Sequence, residues 1–105
     1  MENIKIRKVE KKDIEEILEL ERKFPPKSRR MITYDEIVKI MEENPNACIL
    51  AEDDWKIRGA IFGKVYRNEC KILFLIVDLE KIGEGIAEIL MKELLKSTGT
   101  ERFIK

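Results

Sequence analysis

Residues Lys71 to Leu95 read KILFLIVDLEKIGEGIAEILMKELL: an apolar run, a turn with two glycines, and an amphipathic helix that starts on the second glycine. A helix entered this way presents its first backbone N–H groups without intrahelical acceptors, at the positive end of the macrodipole. An anion at Gly85 to Ala87 answers both conditions, and glycine lets the backbone come close to it. The stretch therefore predicts a phosphate-holding turn between a strand and a helix.

The rest of the chain builds outward from that turn. Ile4 to Val9 alternates apolar and charged residues, as a half-buried strand does. Asp13-x-x-Glu16 has capping-box spacing ahead of Ile14, Ile17, Leu18 and Phe24, which predicts a helix that Pro25-Pro26 ends. Thr33-x-x-Glu36 opens a second helix with Ile37, Ile40 and Met41 on its apolar face, closed by Asn44-Pro45-Asn46. Ala47 to Glu52 and Ile57 to Tyr66 flank the polar tip Asp53-Asp54-Trp55-Lys56 as a hairpin, and Arg67-Asn68-Glu69 turns the chain into a strand from Cys70 to Asp78. That fourth strand, apolar from Ile72 to Val77, reads as a central strand buried on both faces. Gly99 caps the third helix, and Arg102 to Lys105 follow as a tail. The expected architecture is α/β, in the order β-α-α-β-β-β-α, with a mixed, mostly antiparallel sheet in one domain over residues 1–105.

The run from Leu75 to Ala87 resembles the acetyl-CoA motif of the GNAT N-acetyltransferase superfamily, a V-D-P-E-like strand end followed by (Q/R)-x-x-G-x-(G/A). Gly85 and Ala87 match its last two positions, Ile82 stands at the Arg or Gln position, and Glu84 stands where Lys or Arg is frequent. Ile49 to Ala60 is similar to that family's second hairpin, with Trp55 in place of the turn glycine. The resemblance implies a truncated GNAT-like fold that stops after the third helix. The fifth strand, the gap it forms with strand four, and a fourth helix with its leaving-group tyrosine are then expected to be missing. It also implies acetyl-CoA as cosubstrate and an amine on a small molecule or protein as acceptor. The backbone of Leu75, Ile76 and Val77 would pair with the pantetheine arm, and amides along Ile82, Gly83, Glu84, Gly85, Ile86 and Ala87 would hold the pyrophosphate. No general base is identified. Glu69 and Tyr66 are the groups near strand four, with a solvated turn and packing as their plainer roles. Lys27, Arg29 and Arg30 fall in the loop that borders the acceptor site in such folds, where they serve either an acidic ligand or simply solvation. A non-catalytic GNAT-like module for protein interaction or self-association stays open beside the enzyme.

Composition excludes more than it assigns. Lys plus Arg and Asp plus Glu are 21 each among 105 residues, so no net field draws nucleic acid. The chain has no His, which removes imidazole bases and His metal sites, and no metal is expected. Cys48 and Cys70 lack paired spacing and read as reduced core residues. Position 88 is Glu, against a dinucleotide fingerprint, and no Gly-Lys-Ser or Gly-Lys-Thr follows the glycines. Without a signal peptide or a membrane-length apolar run, the chain is expected to be soluble and cytoplasmic, with no membrane partner. Richness in Lys, Glu and Ile without Gln fits a heat-adapted protein. An apolar fourth strand with nothing to cover its far side predicts a symmetric homodimer.

Overall fold

The structure is a computed structural model that describes residues 4–23 and 31–104. Phe24, Pro25-Pro26 and the Lys27, Arg29, Arg30 cluster lie outside the described residues. The first strand is β1 (Lys5–Lys8), followed by a 3-10 turn at Lys11–Asp13 and helices α1 (Ile14–Lys23) and α2 (Tyr34–Glu43). Strands β2 (Cys48–Asp53), β3 (Lys56–Tyr66) and β4 (Glu69–Val77) come next, then a 3-10 turn at Leu79–Lys81, helix α3 (Ile86–Thr98) and β5 (Arg102–Phe103). They form one five-stranded sheet in the order β1-β2-β3-β4-β5. The first three pairings are antiparallel and β4·β5 is parallel.

Side-chain alternation along the strands builds a core on each face of the sheet. On one face, Ile14, Ile17 and Leu18 of α1 and Ile37 of α2 pack over Leu50, Ala60, Phe62 and Phe74. On the other, Ile86, Leu90 and Leu94 of α3 cover Ile49 and Ile61. Two glycines of β3 let α3 lie directly on the strand. A Cβ at Gly59 would meet Ile76 O at 3.0 Å and the Ile86 and Leu90 side chains at 3.1 Å; one at Gly63 would meet Cys70 Sγ at 2.9 Å. This close seat sets the start of α3 beside the end of β4. Cys48 and Cys70 belong to opposite cores, which separates their sulfurs by the sheet. Burial pushes the Cys48 thiol up to about 12 and raises that of Cys70.

The second capping box forms as the sequence predicts: Thr33 Oγ1 accepts from Glu36 N–H at 3.2 Å, and Glu36 Oε1 accepts from Thr33 N–H at 2.9 Å. The first does not. The reciprocal cap pairs Glu10 with Asp13, one turn earlier than Asp13 with Glu16. The cause is Arg7, whose Nη1 and Nη2 grip both oxygens of the buried Asp13 carboxylate at 2.9 Å while Nε reaches Glu52 Oε1 at 3.0 Å. Asp13 is thereby anchored behind the helix start, and Glu16 instead accepts from Ile57 N–H at 2.9 Å, tying α1 to β3.

Both hairpin turns have two residues, and both strain their sequence. Asp54 and Trp55 sit at φ 50° and 69°, where an Asn-Gly pair is favoured, and Trp55 is 87% exposed. Arg67 takes φ 57° in the second turn. Strand four packs into both cores, Phe74 and Ile76 on one face and Cys70, Ile72, Leu75 and Val77 on the other. Leu73 is the exception, 40% exposed. The short β5 is a correction, since the tail was expected to form no strand. Among the described residues no helix is long and apolar enough to cross a membrane.

Candidate functional site

A gap opens along β4 because its two neighbours treat it differently. β3 pairs with it from Glu69 to Val77, whereas β5 pairs only at Glu69 and Cys70, extended by Ile104 N–H to Cys70 O at 2.9 Å. From Ile72 onward this edge of β4 has no strand beside it among the described residues. The register against β3 slips at Leu73, as Phe62 faces Phe74 but Gly63 faces Ile72. Leu73 is therefore the extra residue of a bulge, and a bulge switches which residues point their backbone groups outward. Below it, the Cys70 carbonyl points out to β5. Above it, Asp78 N–H donates inward to Arg58 O at 2.7 Å, so alternation turns Ile76 inward and leaves Leu75 and Val77 facing the gap. Two of the three strand residues singled out by sequence thus offer backbone groups there, and Ile76 gives its own to β3.

The glycine turn closes the far end of that gap. Gly83 and Gly85 take φ 92° and 83°, conformations that strain other residues. The amides of Ile82 and Glu84 are used within the turn, by Leu79 O at 3.4 Å and Lys81 O at 3.2 Å. Those of Gly83, Gly85, Ile86, Ala87 and Glu88 have no acceptor among the described residues, since the first helical bond runs from Ile89 N–H to Gly85 O at 3.1 Å. Val77, Ile82, Gly83, Gly85, Ile86, Ala87 and Glu88 line a groove of about 250 Å³. Leu75, Ile76 and Glu84 do not line it.

Glu88 is the lining residue that the sequence reading missed. Helical spacing was the available signal, because positions three apart share a face and Glu88 follows Gly85 by three. Its carboxylate suits the positive end of α3 yet repels an arriving anion. No Lys or Arg among the described residues lines the groove. Lys81 Nζ lies 3.8 Å from Asp53 and 3.9 Å from Glu84 and is not a lining residue. The backbone of this turn fits a phosphate group; the side chains that line the groove add no positive charge.

The turn is fixed from beneath by Asp78, which is 1% exposed. Its Oδ1 accepts from Glu80 N–H at 3.0 Å and its Oδ2 from Arg58 Nη1 at 2.7 Å. Burial opposes ionisation of Asp78, but the Glu80 amide and the Arg58 guanidinium outweigh it and hold the carboxyl below its ordinary range. Asp13 is likewise lowered, burial being overcome by Arg7 and by the Glu10 amide. Both carboxylates stabilise the fold as anions, fully above their unfolded pKa of about 4, and that contribution is lost as pH falls through the lower folded values. Cys48 acts at the other end: its neutral thiol contributes below about 9, and this is lost as pH rises toward 12. Thermal melts are expected to be level from about pH 5 to 8 and to fall on both sides; constant stability down to pH 2 would contradict this.

The other sequence candidates stand apart from the groove. Glu69 begins β4, at the end opposite the glycine turn, and its Oε2 accepts from Arg102 Nε at 2.8 Å. Tyr66 ends β3 with the Lys64 ammonium 5.3 Å from its ring centre. A larger cavity of about 570 Å³ lies between α1 and residues 31–34, lined by Leu18, Glu21, Arg22, Ile32 and Tyr34 among others. Glu21 is fully buried there and accepts from Ile32 N–H at 3.2 Å. No group of three His, Cys, Asp or Glu among the described residues could hold a metal ion.

This architecture is found in solved structures. Ard1 from Thermoplasma volcanium superposes with a TM-score of 0.78 at 23% identity, over 92% of this chain and 66% of its own. The GphF GNAT-like decarboxylase in complex with isobutyryl-CoA gives 0.74 at 16%, over 89% and 58%. Diaminobutyrate acetyltransferase EctA from Paenibacillus lautus, in complex with L-2,4-diaminobutyric acid and coenzyme A, gives 0.74 at 18%, over 89% and 57%. The chain thus spans less than two thirds of each of these proteins, and at such identities the likeness establishes the fold. No curated protein matches the chain significantly. In sequence, residues 14–104 match the family model described as the acetyltransferase (GNAT) family. With that match over most of its length, the chain belongs to the GNAT acetyltransferase family.

Proposed function

We propose that the chain is an N-acetyltransferase that takes acetyl-CoA in the groove beneath the glycine turn and passes the acetyl group to an amine. The observation that carries this reading is convergence: residues with unpaired amides, Gly83, Gly85, Ile86 and Ala87, line one groove together with Val77, the last residue of the open edge of β4. The cosubstrate would supply the activated acetyl group. The amides would hold its pyrophosphate, the edge of β4 would align its pantetheine arm as an added strand, and one strand N–H would support the carbonyl oxygen during attack. As the new C–N bond forms the thioester C–S bond would break, the proton of the attacking amine passing to a carboxylate or a water chain and coenzyme A leaving as a thiolate that solvent protonates; no residue is assigned to either proton transfer. Buried thiols on opposite faces of the sheet suit a reducing, cytoplasmic setting.

Affinity is expected to be weak, because amides act alone beside Glu88. An Ile82→Arg, Glu84→Lys double variant adds two cations and removes one carboxylate, and should bind acetyl-CoA at least about tenfold tighter, since one charge-assisted hydrogen bond contributes roughly 1.5–3 kcal/mol. Adding Glu88→Gln should tighten it further. Calorimetric titration decides: no heat from either protein rejects the cosubstrate reading and favours the non-catalytic module, for which the cation-free groove speaks. The chain is also proposed to form a symmetric homodimer through the strand-four region, where Leu73 and Ile104 are 40% and 38% exposed; pairing along the edge that would align the pantetheine arm would make dimerisation and acetyl-CoA binding compete. Light scattering that finds only monomer at high micromolar concentration would reject the dimer.

A further inference from the structure

Arg58 does something in this fold that a strand residue has no need to do. It is the extra residue of the bulge between β2 and β3, where Ala51 faces Gly59 but Glu52 faces Ile57. A bulge re-aims the side chain it carries. Skipped by β2, Arg58 turns to the end of β4: its carbonyl accepts from Asp78 N–H at 2.7 Å and its Nη1 donates to Asp78 Oδ2 at 2.7 Å. The guanidinium is largely buried, and its Nε–H is buried with no acceptor. An orphaned buried donor costs its lost solvation, so this placement is not the cheapest way to pack the strand.

What the placement secures is the turn. Beyond Asp78 the chain to Gly85 runs on the surface, with Leu79 52% and Ile82 55% exposed and no buried apolar side chain to hold it. Its internal bonds are the Asp78 carboxylate to Glu80 N–H, then Lys81 to Asp78 O at 2.8 Å and the longer Ile82 and Glu84 bonds. The long Lys81 contacts to Asp53 and Glu84 add little. The Arg58–Asp78 pair is therefore the buried footing of the segment whose next amides face the groove. We propose that Arg58 is a positioning residue, which acts through Asp78 to hold the Leu79–Gly85 turn so that the amides of Gly83, Gly85, Ile86 and Ala87 converge on a diphosphate. This rests on reading the groove as a coenzyme A site.

The test compares coenzyme A with pantetheine, which lacks the diphosphate, by NMR titration of the full chain. In Arg58→Met, coenzyme A should bind at least tenfold more weakly while the weaker affinity for pantetheine is unchanged. Arg58→Lys, which can still pair with Asp78, should stay within about threefold of the parent. Asp78→Asn keeps an acceptor for Glu80 but drops the ion pair, and should resemble Arg58→Met; it serves if that variant does not fold. Without ligand, hydrogen exchange at Glu80, Lys81, Ile82 and Glu84 should quicken at least tenfold in Arg58→Met, with β3 amides unaffected. Equal loss of both ligands, undiminished coenzyme A affinity, or unchanged exchange in a folded variant would each overturn the proposal. A parent that binds neither ligand rejects the coenzyme reading instead, and the exchange comparison still decides whether Arg58 holds the turn.

Discussion

Arg7→Met is expected to lose about 3 kcal/mol or more of stability, enough to leave a small domain with little margin, since such domains are held by roughly 5–15 kcal/mol in total. The size follows from what stays behind. Asp13 and Glu52 are 5% and 7% exposed, and Arg7 is the cation that both carboxylates share. Removing it strands two buried charges, while the methionine restores most of the packing. Neutralising the carboxylates as well, in Arg7→Met, Asp13→Asn, Glu52→Gln, should recover more than half of the loss, because the cost lies in unpaired charge. Arg22, which pairs with Glu19 on the surface of α1, is the contrast: its replacement by Ala should cost under about 1 kcal/mol. Urea unfolding measures all three. A loss below about 1 kcal/mol for Arg7→Met would mean that water reaches these carboxylates.

Gly85→Val should abolish coenzyme A binding. Two effects act together there: the added side chain intrudes where a diphosphate must approach the amides, and a β-branched residue at φ 83° costs roughly 1–3 kcal/mol of backbone strain. Gly85→Asn separates them, because Asn tolerates the left-handed conformation and still adds a Cβ. Both variants are expected to lose binding, with only the valine showing a marked drop in melting temperature. If the asparagine protein, folded by circular dichroism, binds as tightly as its parent, the amides at the start of α3 are not the ligand's seat.

How far the sequence could be read depends on the range of the interactions involved. Thr33 and Glu36 cap a helix through bonds three residues long, and Gly85 and Gly99 flank α3, so these features were visible in order and spacing. The start of α1 was not, because Asp13 is claimed by Arg7 from the neighbouring strand and Glu16 by the backbone of Ile57, which lies on β3. The apolar run of β4 did report burial on both faces, but not its one exception: Leu73 is exposed as the extra residue of a bulge, which pairing with β3 creates. In the site, the glycines and the helix start were legible, whereas the footing on Arg58 was hidden, since nothing local marks a bulge in Ile57-Arg58-Gly59. The absence of a cation among the groove's lining residues could be suspected from Ile82 and Glu84, but Glu88 became visible as a lining residue only with the helix in place.

Strand order in this sheet repeats chain order, and that bears on how the molecule assembles. β2, β3 and β4 are joined by two-residue turns, so the middle of the sheet closes with little loss of chain entropy and can zip up as hairpins do. Each outer strand arrives at the end of a longer excursion, β1 through α1 and α2 and β5 through α3. The long-range closures therefore fall on the sheet's two rims, and the glycine turn lies on one of those excursions. Ile86, Leu90 and Leu94 pin α3 to the sheet, whereas Leu79 and Ile82 of the turn are exposed, so a local opening confined to the turn would dismantle the groove while α3 and the β2–β4 meander stay folded.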